Sequence, residues 1–160
     1  MLLSRAGGAL TRAQQYQVDG ATVDAPAIAD LDGDGHPDVA IVEGNTDARV
    51  LRGDGTGQLV AGPPLSLSSH ADATAIADFD GDGHLDVAIA ADSQNAVVVL
   101  LGDGRGGLST GVTLPTAGLA LGLCAADLDG DHLPDLIAAQ DLISVNGPTG
   151  SVRVFRNASR

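Results

Sequence analysis

The stretch ADFDGDGHLDVAI, residues 77–89, decides the fold of this chain. It places four aspartates in a nine-residue loop of pattern D-x-D-G-D-G-x-x-D and then continues into the apolar run DVAI. Carboxylates this close together repel one another unless a cation lies among them. Oxygen ligands at alternating positions suit Ca²⁺, which takes about six to eight oxygens, whereas Mg²⁺ keeps more of its waters. The stretch therefore predicts a calcium loop that leads into a strand.

The loop recurs along the chain with an almost constant step. AIADLDGDGHPDVAI (27–41) and AIADFDGDGHLDVAI (75–89) are identical at 13 of 15 positions, and ADLDGDHLPDLIA (126–138) is a weaker third copy. A second motif keeps the same step: VLRGDGTGQL begins at Val50, VLLGDGRGGL at Val99, and the degenerate MLLSRAGGAL at Met1. A period of 48–49 residues lies in the range of β-propeller blades.

Each unit predicts four short strands, because apolar runs alternate with Gly/Asp turns and no segment has sustained helical periodicity. In the middle unit the strands are expected near 72–79, 85–91, 96–102 and 107–114. The aspartate loop joins the first two strands. The Gly-Asp-Gly segment joins the last two, because Asp-Gly readily supplies the positive φ of a tight hairpin. We predict an all-β chain of about three four-stranded antiparallel propeller blades.

The predicted units divide the whole chain. Residues 1–22 are expected to hold the outer strand, near Leu10–Val18, of a preceding or closing blade. The three blades are predicted at 23–70, 71–117 and 118–160, and the last lacks its outer strand. A closed propeller needs about four to eight blades. The chain is therefore either a part of a longer propeller or a unit that forms a homo-oligomer to complete the ring.

Each copy of the loop predicts one calcium site, with aspartates at positions 1, 3, 5 and 9 and a backbone carbonyl at position 7. The predicted ligands are Asp30, Asp32, Asp34, the His36 backbone oxygen and Asp38; Asp78, Asp80, Asp82, the His84 backbone oxygen and Asp86; and Asp127, Asp129, Asp131, the Leu133 backbone oxygen and Asp135.

The third copy departs from the pattern at position 6, where the turn favours glycine. Gly35 and Gly83 occupy this position in the first two copies, and His132 occupies it in the third. A residue with a Cβ pays about 1–2 kcal/mol for a left-handed backbone. We therefore predict that the third site binds Ca²⁺ more weakly than the other two.

The helix-flanked EF-hand loop does not fit these copies. Its position 12 requires a glutamate, and the residues here are Ile41, Ile89 and Ala138. The order of loop, DVAI-like strand and Gly-Asp-Gly hairpin instead resembles the FG-GAP/VCBS-type repeats of integrin-α-like β-propellers, most closely the bacterial-type FG-GAP-like variant. The resemblance implies that the loop joins the two innermost strands of a blade and holds Ca²⁺ on its four aspartates.

The composition limits which kinds of partner the chain is expected to bind. The net charge is −13, and 12 of the 20 aspartates lie in the three loops, so nucleic acid and anionic membrane surfaces are not expected partners. No apolar run is long enough to insert into a membrane, and the lone Cys124 cannot form an intrachain disulfide. The start MLLSRAGGAL lacks the apolar stretch of a secretory signal, so the chain either stays in the cell or begins upstream. The resemblance favours the extracellular space or the cell envelope.

No catalytic set converges in the sequence, so we predict that the chain is not an enzyme. The expected function is a calcium-stabilised scaffold for binding or adhesion to a protein or carbohydrate ligand. One alternative is an accessory propeller portion of a larger secreted hydrolase or lyase. Another is a calcium buffer or sensor, which would require a large conformational change on binding.

Overall fold

The structure, a computed structural model, describes residues 2–4, 10–12, 15–17, 23–43, 47–67, 69–144 and 147–158. These residues form fourteen strands and one 3₁₀ turn at Asp92–Gln94. The strands are β1 (Leu2–Ser4), β2 (Leu10–Arg12), β3 (Val23–Ala29), β4 (Asp38–Glu43), β5 (Asp47–Gly53), β6 (Leu59–Ala61), β7 (Leu65–Ser66), β8 (Ala71–Ala77), β9 (Asp86–Ala91), β10 (Ala96–Gly102), β11 (Leu108–Pro115), β12 (Leu119–Ala126), β13 (Asp135–Ser144) and β14 (Gly147–Phe155).

Three antiparallel sheets follow one another along the chain and confirm the predicted all-β class. Blade 1 has the order β3-β4-β5-β6, with β7 also pairing with β5; blade 2 has the order β8-β9-β10-β11; and blade 3 has the order β12-β13-β14. The sequence placed the four strands of blade 2 to within two residues at each end. In every blade the aspartate loop joins the first two strands, as expected.

The blades lie side by side, because the first strand of each contacts the first strand of the next: β3 contacts β8, and β8 contacts β12. We call the face of a blade that points toward the preceding blade its leading face, and the opposite face its trailing face. In β9, Val87 and Ile89 pack toward blade 1, whereas Ala88 and Ala90 pack toward blade 3. Every residue of β9 is buried, because blade 2 is covered on both faces.

The two outer faces of the stack differ. On the leading face of blade 1, Ile41, Glu43 and Leu51 are only 4%, 2% and 7% exposed, and Glu43 forms an ion pair with Arg49. The chain itself therefore covers this face. At its edge the Tyr16 hydroxyl donates a hydrogen bond to the Gly57 carbonyl at 3.1 Å and accepts one from the Leu59 amide at 2.7 Å.

The trailing face of blade 3 is open in the part of the chain that the structure describes. Val152 and Val154 on β14 are 69% and 44% exposed. Their counterparts on β10 of blade 2 are Val97 and Val99, which are 0% and 3% exposed against blade 3. The stack of blades thus has one covered end and one uncovered end.

The N-terminal hairpin has the pairing of a blade's third and fourth strands. Leu2 pairs with Arg12 and Ser4 with Leu10, as Leu100 pairs with Thr110 and Gly102 with Leu108 in blade 2. The sequence predicted one outer strand near 10–18 and did not anticipate β1. Residues 15–17 are not in a strand, and 13, 14 and 18–22 lie outside the described residues. The assignment of residues 1–22 to a preceding or closing blade stays a prediction.

Candidate metal sites

The first two aspartate loops each gather three carboxylates. Oxygen atoms of Asp30, Asp32 and Asp38 all lie within 4.8 Å of one another, and so do those of Asp78, Asp80 and Asp86. These are positions 1, 3 and 9 of the motif. The clusters lie at the same edge of adjacent blades because each loop leaves the end of a first strand and enters a second.

The position 1 aspartate organises the turn of the loop. Asp78 Oδ1 accepts hydrogen bonds from the amides of Gly81 at 2.8 Å and Asp82 at 3.1 Å, and its Oδ2 accepts one from Gly83 at 2.9 Å. Asp30 accepts the equivalent bonds in the first loop, from Gly33, Asp34 and Gly35 at 2.8, 3.1 and 2.9 Å. Gly83 has φ +88°, which explains the glycine at position 6.

The position 9 aspartate has a structural role that the sequence did not reveal. Asp86 is 0% exposed. Its Oδ2 accepts a hydrogen bond from the Phe79 amide at 2.8 Å, and its Oδ1 accepts one from the Gly102 amide at 2.9 Å. Asp38 makes the same bonds, to Leu31 at 2.9 Å and Gly53 at 2.8 Å. This carboxylate therefore ties its loop to the end of the third strand.

The close approach of the loop to the third strand explains why the first residue of the Gly-Asp-Gly motif is a glycine. A Cβ on Gly53 or Gly102 would lie 2.2 Å from the carbonyl oxygen of Pro37 or Leu85, which precedes the position 9 aspartate. The sequence did contain a signal for this contact, because the aspartate and the glycine recur together, as Asp38 with Gly53 and as Asp86 with Gly102. In blade 3, Asn157 takes this place, since its amide donates to Asp135 Oδ1 at 2.9 Å.

The position 5 aspartates, Asp34 and Asp82, do not belong to the three-carboxylate clusters. Their Oδ1 atoms accept hydrogen bonds from the amides of His36 and His84, at 2.8 Å in both loops. The ligand role predicted for these side chains and for the two histidine carbonyls stays a prediction. The imidazoles of His36 and His84 are exposed and lie against Gly55 and Gly104, where a Cβ would approach them to within 2.5 and 2.3 Å.

Burial and charge act together on the clustered carboxylates. The pKa of Asp32 is raised from 3.8, first by desolvation and then by repulsion from Asp38, Asp34 and Asp30, although the Asp34 amide opposes the rise. Burial also raises the pKa of Asp86, against the amides of Gly102 and Phe79, which lower it. A bound cation would remove this cost of ionisation, because an opposite charge favours the carboxylate form.

The third loop is built differently. Its cluster consists of Asp127, Asp129 and Asp131, with oxygens within 4.8 Å of one another, whereas Asp135 is fully buried and accepts hydrogen bonds from Leu128 and Asn157. His132 adopts φ +71°, the strained conformation expected at position 6. A hydrogen bond from the Gly130 amide is the main cause that lowers the pKa of Asp127.

A cation of the protein itself approaches the third cluster. Arg156 Nη1 lies 3.8 Å from Asp129 Oδ2, and the arginine side chain is 74% exposed. A guanidinium beside a ligand carboxylate competes with a metal ion for that carboxylate. The geometry is therefore consistent with a weaker third site, which stays a prediction.

Chemically, the three clusters offer carboxylate oxygens, which are hard ligands suited to Ca²⁺, Mg²⁺ or Mn²⁺. In the first two loops each cluster combines partly exposed carboxylates with a buried one. Such a site can hold an ion at the surface of a blade while the buried carboxylate anchors it to the sheet.

Among the described residues no helix is long and apolar enough to cross a bilayer.

Comparison with known proteins identifies the family. A model of the FG-GAP-like repeat matches residues 30–89 and 78–138, about two thirds of the chain. The chain therefore belongs to the FG-GAP-like repeat family, as its loops and hairpins indicated. No curated protein matches the chain.

Proposed function

We propose that this chain is a calcium-binding, non-enzymatic scaffold built of β-propeller blades. The observation that carries the proposal is the repetition of a three-carboxylate cluster at the same edge of successive blades. Desolvation, and after it repulsion from the neighbouring carboxylates, raises the pKa of Asp32, and a bound cation would offset both costs of ionisation. Two arguments support calcium over magnesium. The FG-GAP-like repeats that this chain resembles are associated with Ca²⁺, and Ca²⁺ accepts several carboxylate ligands more readily than Mg²⁺ does.

Bound calcium would stabilise the folded chain. Extracellular calcium modules have Kd values of about 10⁻⁴–10⁻³ M. At millimolar calcium and the tighter limit, each occupied site adds about 1.4 kcal/mol to the free energy of unfolding. Such a gain requires millimolar calcium, which supports a location outside the cell or in the cell envelope.

The ligand of the scaffold is proposed to be a protein or a carbohydrate that binds at the loop edge. A cleft of about 270 Å³ separates the first two aspartate loops and is lined by residues that include Asp32, His84 and Gly104. Carboxylates, an imidazole and backbone groups can hydrogen-bond to hydroxyl or amide groups of a ligand. An accessory portion of a larger secreted hydrolase or lyase remains the second proposal, because the same scaffold can lie beside a catalytic domain.

Isothermal titration calorimetry of the chelator-treated protein tests the metal proposal. We expect binding of Ca²⁺ to two sites of similar affinity and to a weaker third, with little heat from Mg²⁺. Asp78→Asn should remove one strong site. Asp72→Asn, at an exposed aspartate on β8, should leave the isotherm unchanged. Absence of calcium binding, or preference for Mg²⁺, would overturn the proposal, and a third site as tight as the others would contradict its predicted weakness.

A further inference from the structure

The third aspartate loop differs from the first two in its carboxylates as well as in its sequence. In the first and second loops the gathered carboxylates occupy motif positions 1, 3 and 9, and the last of these is buried. The third group consists of Asp127, Asp129 and Asp131, at positions 1, 3 and 5, and Asp135 at position 9 lies outside it. The third group therefore consists of loop carboxylates alone, without a buried one from the start of the second strand.

The turn of the third loop is nevertheless formed as in the other loops. The His132 amide donates to Asp127 Oδ2 at 3.0 Å, as the Gly83 amide donates to Asp78 Oδ2 at 2.9 Å. Both residues have positive φ, +71° for His132 and +88° for Gly83. These hydrogen bonds lie within the protein, so the strain at His132 is a cost of folding with or without an ion. A cost that is equal in the free and the bound protein does not change the affinity for the ion.

The backbone holds Arg156 beside this loop. Arg156 follows Phe155, the last residue of β14. On its other side, the Asn157 side-chain amide donates a hydrogen bond to the Phe79 carbonyl at 2.7 Å. Arg156 is thus placed by anchored neighbours, and its Nη1 lies 3.8 Å from Oδ2 of Asp129, the position 3 aspartate.

The equivalent position places no cation within ion-pair distance of the first two loops. The residue before the glycine that donates to the position 9 aspartate is Leu101 in blade 2 and Arg52 in blade 1. The Arg52 side chain lies against the hairpin of blade 2, since a Cβ on Gly106 would approach its Cδ to 2.8 Å. Among the described residues, the first two loops form no ion pair with an arginine. The arginine contact therefore sets the third loop apart from the other two.

We propose that Arg156 is the residue that weakens the third calcium site. Its guanidinium stabilises the ionised Asp129 without an ion, and it repels a cation that approaches the same carboxylate. This inference rests on the proposed function, and it assigns the weakness of the third site to a neighbouring charge rather than to the strain at His132. The third loop thereby keeps part of its charge balance when calcium is scarce, whereas the first two loops depend on the ion.

A calcium chloride titration of the whole chain at about pH 8, followed by two-dimensional amide NMR spectra, tests the proposal. Each loop is reported by the amide of its own position 4 glycine, and these are Gly33, Gly81 and Gly130. Arg156→Gln should lower the Kd of the third loop about three- to tenfold, because it removes a positive charge beside a ligand carboxylate. It should leave the Kd values of the first two loops unchanged.

Arg153→Gln is the matched control. It removes the same charge from β14, but the Arg153 guanidinium donates to the Pro115 carbonyl at 2.9 Å and lies over the Phe155 ring. All three Kd values should therefore stay unchanged. Equal effects of Arg153→Gln and Arg156→Gln on the third loop, or no effect of Arg156→Gln, would overturn the proposal.

His132→Gly separates the two possible causes of the weakness. It removes the Cβ penalty at φ +71° and should change the Kd of the third loop by less than about twofold, because that penalty is the same with and without the ion. Arg156→Lys keeps the charge and should keep the weak site. A gain in affinity from His132→Gly as large as that from Arg156→Gln would assign the weakness to His132 and overturn the proposal.

The same spectra distinguish this proposal from the proposed function. If calcium shifts Gly33 and Gly81 but Arg156→Gln leaves the titration of Gly130 unchanged, the proposed function stands and the role of Arg156 falls. If calcium shifts none of the three glycines in wild-type protein, the proposed function is removed. A response of Gly130 in Arg156→Gln would then still support the role of the arginine, and its absence would overturn that role as well.

Discussion

Asp86 accepts hydrogen bonds from Phe79, at the start of its loop, and from Gly102, at the end of the third strand. Its motif position predicted a metal ligand, and its oxygens do lie with those of Asp78 and Asp80. The sequence could not show its second role, because hydrogen bonds between segments 16 residues apart depend on how the hairpin folds back. The same limit applies to Asp135, which lies outside the group formed by Asp127, Asp129 and Asp131 and whose predicted ligand role stays a prediction.

A chelator separates the structural role of Asp86 from its predicted role as a metal ligand. In chelator, Asp86→Ala should lower the free energy of unfolding by about 2–4 kcal/mol, because it leaves two partly buried amides without an acceptor. Asp82→Ala, at the exposed position 5 of the same loop, should change it by about 0.5 kcal/mol or less. Urea denaturation measures both variants. Equal losses would show that the buried carboxylate has no structural role beyond that of its neighbours.

Gly102 offers a second test at a single residue. Gly102→Ala should destabilise the protein by about 1–3 kcal/mol, because the new Cβ would lie 2.2 Å from the Leu85 carbonyl oxygen. Gly150→Ala is the control, since the nearest atom to its Cβ is the Gln140 carbonyl oxygen at 4.0 Å. The two variants are compared by urea denaturation, and a loss that is no larger for Gly102→Ala would contradict the close approach.

At the scale of elements, the hairpins between the third and fourth strands of blades 1 and 2 share one aspartate-centred turn. Asp103 Oδ1 accepts hydrogen bonds from the amides of Arg105 and Gly107, both at 2.8 Å, and Gly104 and Gly106 have positive φ. The Asp-Gly dipeptides were sufficient to predict these turns. The N-terminal hairpin was missed because MLLSRAGGAL lacks the Gly-Asp-Gly residues, although Leu2, Leu10 and the spacing between them are kept.

The turn aspartates predict a specific acid sensitivity. Hydrogen bonds from Gly107 and then Arg105 lower the pKa of Asp103 below 3.8. Its ionised form therefore stabilises the fold, and this contribution is complete above about pH 4 and is lost as the pH falls through the lowered pKa. The difference in Tm between wild type and Asp103→Asn should shrink as the pH falls below 3.8.

The equivalent turn of blade 1 provides a replicate. The Thr56 hydroxyl and amide are the largest causes that lower the pKa of Asp54, so Asp54→Asn should show the same trend as Asp103→Asn. Differential scanning calorimetry in chelator, at several pH values between about 3 and 5, measures both. Tm differences that stay constant over this range would contradict the proposed role of the turns.

For the whole molecule, the period of the repeat predicted the blades and their order, because alternation and turn spacing are local properties of the sequence. It did not predict which end of the stack is covered. Ile41 and Val154 are both apolar strand residues, yet the first is 4% and the second 44% exposed. The strand pattern is the same at both positions and therefore does not encode this difference.

The stacking of blades predicts unequal costs for identical substitutions. Val97 on β10 and Val152 on β14 occupy equivalent positions and are 0% and 69% exposed. Val97→Ala should lower the free energy of unfolding by about 2 kcal/mol through lost burial and a cavity. Val152→Ala should lower it by about 0.5 kcal/mol or less, because this side chain is mostly exposed. Chemical denaturation at low protein concentration measures both, and equal losses would contradict the open face of blade 3.

The paired alanine and valine residues on the trailing faces also bear on how such a chain can grow. The pair Val42–Ala48 in blade 1 corresponds to the pair Ala90–Val97 in blade 2. Each pair consists of one valine and one alanine, but the two residue types have exchanged strands. The trailing face of blade 2 thus resembles the surface on which its own leading face already packs. Tandem duplication of residues 71–118 would accordingly add a blade that fits both neighbours at once, and the gene could lengthen by whole blades without a poorly packed intermediate.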